Sequence, residues 1–325
     1  GTDSQYGFRR LDVASGTGTI RANSLGGGGF VSVALGSIVI GDRDTSNNRV
    51  LSFRANGGNW ADFVINGVVS PNLGAAGNFF FDVGDDNTNT GGNGIVTVNG
   101  LIDAGSTGAQ ALRKRNGGVL ILNADNLYDG NTVIEQGRLV LGHVGAAGLA
   151  STSIELAANS DRTARLEFRF DGSAPFVVAN AGISTSGGND NSNRIFVAGA
   201  RTPGNENGVV VLPTLTVGHA GTYAAGGGGN SSLYFDGFNG YRFQLGNIVL
   251  NRSIDLRPRS GLLTVNGVIS GANALGKNEQ GVLWLNGANT YTGGTTVSNG
   301  YVVAGNDAAF GNSATSVQFR NNTCL

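Results

Sequence analysis

Apolar and polar positions alternate in short runs down this chain, and the clearest run occurs twice. In residues 281–305, Leu283 and Leu285 alternate with outward positions as one strand, Thr295 to Ser298 form a second, and Tyr301 to Ala304 a third. Residues 118–142 carry the same pattern, and a single offset of 163 aligns the two segments without a gap. Leu120 and Leu122 then meet Leu283 and Leu285, while Asn123, Asn126 and Tyr128 meet Asn286, Asn289 and Tyr291. Gly130, Gly137 and Gly142 meet Gly293, Gly300 and Gly305, at points where the chain must turn between strands. Each strand has only two or three inward side chains, so one unit cannot bury its own core and must stack on another. This predicts an all-β solenoid.

Weaker echoes extend the pattern. Ile95–Ile102 is nearly repeated by Leu262–Ile269, Val50–Phe53 by Ser232–Phe235, and Ser37–Gly41 by Thr214–Gly218. The order is the same in both halves, which predicts a tandem duplication of roughly 36–158 and 213–321 within one elongated domain, 1–325, with 159–212 joining them. The strand candidates Gly18–Ala22 and Phe30–Ala34 precede it, split by Gly26 to Gly29. Residues 84–94, 187–193, 203–208 and 222–230 read as Gly- and Asn-rich loops leaving the coil. Coils of about 20–25 residues, each rising about 4.8 Å, would make a rod of about 60–75 Å held by backbone ladders, with asparagine ladders at some corners. No capping helix is legible at either end, which points to open rungs and end-to-end self-association.

The segment Gly281–Gly305, read as G-x-L-x-L-x-G-x-N-T-Y-T-G-G-T-x-V, resembles the passenger-associated repeat of bacterial autotransporters, with Val302 where Leu is usual. The copy at 118–142 is looser, with Leu127-Tyr128-Asp129-Gly130 in place of Thr-Tyr-Thr-Gly. The resemblance implies a right-handed parallel β-helix displayed outside a Gram-negative-type cell, on the surface or secreted. It implies a structural function as a surface fibre, filament subunit or adhesin stalk. The alternatives are a binding module for glycan or host protein, and a polysaccharide-degrading β-helix enzyme.

Composition agrees with a folded β chain. Glycine accounts for 56 of the 325 residues, asparagine for 37 and lysine for two, Lys114 and Lys277, while the hydrophobic fraction is 40%. The net charge is −1 with no basic stripe, which excludes nucleic acid as a partner. No apolar run approaches the roughly 18 residues of a membrane helix. The chain has no methionine, and Ser316–Phe319 aligns with Ser153–Leu156, which continues into further strands, so the sequence reads as a processed or partial product.

Candidate chemistry is sparse. His143 and His219 each follow a strand-ending glycine and read as corner residues. Cys324 has no partner for a disulfide within the chain and reads as a bystander or an intermolecular cross-link. Asp85, Asn87 and Asn89 resemble the start of a calcium loop, but Thr90 and Val96 stand where glycine and glutamate are needed. Arg165, Glu167 and Arg169 share one strand face and read as a solvated, ion-paired surface. Arg257-Pro258-Arg259 is too little for a lyase site. Neither a catalytic group nor a cofactor is expected. Aromatic residues crowd the second half, and Trp284, Tyr301, Tyr234, Tyr241, Phe238 and Phe243 are expected to point outward, as an interface for sugar or protein.

Overall fold

The computed structural model describes residues 6–13, 17–22, 30–40, 48–55, 60–71, 77–85, 94–103, 109–157, 163–186, 193–218, 231–312 and 316–320. Among the described residues the regular elements are strands, and they pair in parallel. The chain divides into two compact units, Gly1–Ile154 and Glu155–Leu325, each a parallel β-helix.

In the first unit one face is built from Tyr6–Val13, Phe30–Ile40, Trp60–Ile65, Gly94–Val98, Val119–Leu122 and Gly137–Leu141, paired in that order. A second face stacks Thr17–Ala22, Asn48–Ala55, Gly77–Asp85, Gln110–Arg115 and Thr132–Ile134. The third face is short: Val69 pairs with Ile38 and Ser70 with Val39, and Val69 bridges Ile102. Phe30–Ile40 serves both the first and third faces, so the two strands expected around Ala34 and Ser37 are one continuous strand.

Parallel register stacks like positions on like. Val33, Phe63, Val96, Leu120 and Leu139 follow one another up the interior, as do Leu35, Ile65, Val98, Leu122 and Leu141, and all ten are buried. The second face adds Phe53, Phe79 and Phe81, with Phe53 stacked on Phe81 at 6.1 Å and edge-on to Phe63 at 5.2 Å. Alternation is what makes this possible, because a strand turns every second side chain to the same side.

The second unit has three complete faces. Thr163–Arg169, Asn193–Gly199, Ser231–Gly237, Ile254–Ser260, Leu275–Lys277, Thr295–Val297 and Val317–Phe319 form one. Gly182–Thr185, Leu215–Val217, Ile248–Leu250 and Ile269–Ser270 form another. The last stacks Phe176–Val177, Val209–Leu212, Arg242–Leu245, Leu262–Val265, Val282–Leu285 and Tyr301–Ala304. Its interior column runs Val210, Phe243, Leu263, Leu283 and Val302, all buried.

Exposed corners carry the expected asparagine ladders. Asn99 donates to Asn66 at 2.9 Å and Asn123 to Asn99 at 2.8 Å. In the second unit Asn286 donates to Asn266 at 2.9 Å. Of the segments read as loops, 203–208 is a turn, while the greater part of 84–94 and 187–193 and all of 222–230 lie outside the described residues.

Candidate functional site

The polar residues that mark the two repeats are engaged inside the coil. Asn126 accepts from the Ile102 N–H at 2.8 Å and donates to the Ala146 carbonyl at 2.7 Å; Asn289 accepts from Ile269 at 2.7 Å and donates to Ala309 at 2.6 Å. Each side chain satisfies a donor and an acceptor that the corner would otherwise bury unpaired. Tyr128 and Tyr291 are fully buried, and their hydroxyls pair with Thr132 and Thr295. Burial pushes both phenols up, Tyr291 to about 12.

The two lysines make the same clip. Lys114 Nζ donates to the carbonyls of Arg115 at 2.5 Å, Asn116 at 2.6 Å and Gln136 at 3.2 Å. Lys277 Nζ donates to those of Asn278 at 3.0 Å, Glu279 at 2.7 Å and Asn299 at 2.9 Å. An ammonium has three hydrogens, and three carbonyls receive them. One carbonyl of each trio belongs to a residue with positive φ, Asn116 at 59° and Glu279 at 70°, in the corner that the amine bridges. Burial pushes Lys114 down to about 7 and Lys277 to about 8, against the opposing pull of Asp82 and Glu279 respectively. This role went unread in the sequence, although one signal was there: the chain's only two lysines stand at matching positions of the repeats.

Charged side chains on the outer faces are largely paired with one another. Arg113 and Arg115 share Glu135, at 2.6 and 3.2 Å, and the Arg115 guanidinium lies 3.6 Å from the centre of the Phe80 ring. In the second unit Arg259 makes two hydrogen bonds to Asp236, at 2.8 and 2.6 Å, and Arg257 meets Asp255 at 3.1 Å. Both arginines also lie against the Tyr234 ring, at 5.3 Å for Arg257 and 4.6 Å for Arg259. Tyr234 is therefore half-buried and held by cations rather than freely presented.

Three sequence expectations are corrected. Tyr241 is buried: its ring meets Phe170 edge-on at 5.1 Å and its hydroxyl donates to the Phe170 carbonyl at 2.8 Å. Phe243 is buried in the interior column, because the turn before Arg242 sets the alternation so that Phe243 and Leu245 point inward. Glu167 is buried rather than solvated, hydrogen-bonded by Arg169, with Arg165 and Arg169 half-buried beside it. Trp284 (40% exposed), Tyr301 (55%) and Phe238 (54%) do face outward. His143 is exposed in a turn, where its Nδ1 accepts from the Gly145 N–H at 3.2 Å. Asp85 ends the strand Gly77–Asp85, but Asn87, Asn89, His219 and Cys324 lie outside the described residues.

Among the described residues no three His, Cys, Asp or Glu side chains converge as a metal site. An open depression of about 520 Å³ is lined by Asn289, Thr290, Asp307, Phe310, Asn312 and Val317, and Asp307 is the only carboxylate in its lining. A hydrolytic carboxylate pair needs a second acid across the substrate.

The coil, its buried clips and its repeats define a parallel β-helix of the autotransporter-passenger class. The passenger-associated-transport-repeat family matches residues 112–141 and 275–304, the two segments that carry the lysine, asparagine and tyrosine clips. The chain is also similar to a protein described as "Adhesin BmaC autotransporter" from Brucella suis biovar 1 (strain 1330), with 38% identity over 66 residues. That match covers 20% of this chain and 2% of the relative. No solved structure matches the chain significantly. The chain thus carries two passenger-associated transport repeats and is similar to autotransporter passengers, a class associated with extracellular or cell-surface location. No helix among the described residues is long and apolar enough to cross a membrane.

Proposed function

We propose that this chain is a non-enzymatic structural solenoid, working outside a bacterial cell as a surface fibre, filament subunit or adhesin stalk. The observation that supports it is where the polar residues of the repeats are used. Asn126, Asn289, Tyr128, Tyr291, Lys114 and Lys277 all bond inward to backbone or to a neighbouring threonine, so they hold the coil and leave nothing to react. Copies associate end to end, because a parallel rung leaves a row of N–H and C=O groups that another rung can pair. The tandem duplication of 36–158 and 213–321 belongs to the same proposal, and the matching clips support it. Negative-stain microscopy of the purified chain over a dilution series tests the assembly. Filaments that persist on dilution are expected, and separate short particles at every concentration would overturn it.

A second reading, an adhesive module that engages glycan or host protein, is favoured by the description of the Brucella relative and by the outward aromatics Trp284 and Tyr301.

A further inference from the structure

On the face formed by Leu262–Val265, Val282–Leu285 and Tyr301–Ala304, the outward positions stack in two columns. Thr264, Trp284 and Val303 form one, and Leu262, Val282 and Tyr301 the other. None of the six is charged. The outward face of an exposed sheet is normally polar, and this one carries the chain's second tryptophan, 40% exposed, beside a tyrosine 55% exposed. Trp284 lies one strand over and two residues along from Tyr301, so their Cα positions stand roughly 8 Å apart by strand geometry.

Folding does not require these rings. At the matching positions of the other transport repeat stand Ile121 and Arg138, in the same register on the same kind of coil. Nor is the face simply apolar. Among the described residues none accepts a hydrogen bond from the Trp284 indole N–H or the Tyr301 hydroxyl. The amide ladder Asn266–Asn286 ends beside Trp284, at the far end of the strand from Tyr301. Gly305 sits where the two meet: a methyl group there would lie 2.7 Å from Trp284 Nε1 and 2.2 Å from Asn286 Oδ1. The missing side chain keeps the indole N–H and the amide together at one corner.

A ligand for this surface needs flat C–H faces for the two rings, hydroxyls for the indole N–H and the phenol O–H, and no charge over these six positions; the exposed Arg242 lies on the next strand, beyond Leu262. We infer that the Trp284–Tyr301 face, with Asn266, Asn286 and Gly305, is a binding site for a neutral polysaccharide chain. The inference goes beyond the scaffold reading and stands or falls separately from it, since a solenoid without this site is still a solenoid.

The chain has two tryptophans, so Trp60→Phe leaves Trp284 as the sole indole reporter. In that background the protein is titrated with cellohexaose, maltohexaose and chitohexaose, and with oligogalacturonate as the charged comparison. The expected result is a saturable change in emission with at least one neutral series, unaffected by salt. Isothermal titration calorimetry of the protein that keeps Trp60, which needs no reporter at position 284, should show binding weakened by about tenfold for each of Trp284→Ile and Tyr301→Arg, a loss appropriate to one aromatic contact. Both variants install the residue of the other repeat, so the fold is kept, and circular dichroism checks it. Gly305→Ala should weaken binding in the same way by displacing the indole. No response to any neutral series would overturn the inference, as would unchanged affinity in Trp284→Ile and Tyr301→Arg, or salt-sensitive binding of oligogalacturonate alone. Sedimentation that shows dimers split by Trp284→Ile would also overturn it, and would make a second copy the occupant of this face.

Discussion

Replacing Lys277 by methionine tests how the repeat corner is held. The side chain keeps its length and apolar stem, but three carbonyls lose their donor: Asn278, Glu279 and Asn299, at 3.0, 2.7 and 2.9 Å. A buried acceptor left unpaired costs about 1–3 kcal/mol. Against that loss, the variant no longer strips water from an ammonium, a penalty of several kcal/mol in a buried site. The net expectation is a destabilisation of about 2–4 kcal/mol, the smaller part of the gross loss. Urea unfolding followed by circular dichroism measures it, and amide hydrogen exchange should show the loss concentrated at residues 275–300. The effect depends on pH, with a definite sign. Burial lowers Lys277 from 10.5 to about 8, so the folded chain releases this proton earlier than the unfolded one. Between about pH 8 and 10 the unfolded state binds more protons, and wild-type stability rises with pH across that window. The gap between wild type and Lys277→Met should therefore widen from pH 7 to 10. Above about 10 the raised phenols of Tyr128 and Tyr291 act the other way, because the unfolded tyrosines ionise first. A variant as stable as wild type at pH 7 would refute the clip, and a gap that stays constant with pH would refute the burial argument.

Other positions give independent checks. Gly293→Ala puts a methyl group 2.2 Å from the Asn273 carbonyl carbon, so the coil must shift; a loss of about 3 kcal/mol or more is expected in the same urea assay. Asn99→Ala removes the middle of an exposed ladder bonded on both sides and should cost about 1 kcal/mol, read as a lower thermal midpoint. Glu279→Asn places the residue of the matching corner, Asn116, at a φ of 70°, where asparagine is better tolerated; stability should increase by about 0.5–1 kcal/mol, and a decrease would show that the contact to Arg257 at 3.8 Å matters more.

The all-β class, the repeats and the inward leucines were legible because they are local. Alternation at Leu283 and Leu285 chooses the buried side of a strand before any partner is known, and glycine spacing marks the corners. The asparagine ladders were legible too, since parallel register must place like residues over like. Tyr241 shows where this kind of reading stops. Its sequence surroundings are those of an exposed aromatic, and only Phe170, from a different coil, supplies the ring contact and the carbonyl that bury it. Glu167 was misjudged for the same reason, because alternation assigns a side to a strand but not what lies over that side.

The lysines mark the boundary most clearly. By itself the sequence determined that Lys114 and Lys277 occupy matching places in two repeats, a matter of spacing alone. That each would lose its water and bind three carbonyls was decided by tertiary structure, because one of those carbonyls, at Gln136 or Asn299, arrives from the next coil. A lysine side chain is long enough to reach solvent or a backbone cage, and local sequence favours neither. Only the stacked corner, with acceptors converging where no water remains to satisfy them, makes the inward rotamer the stable one.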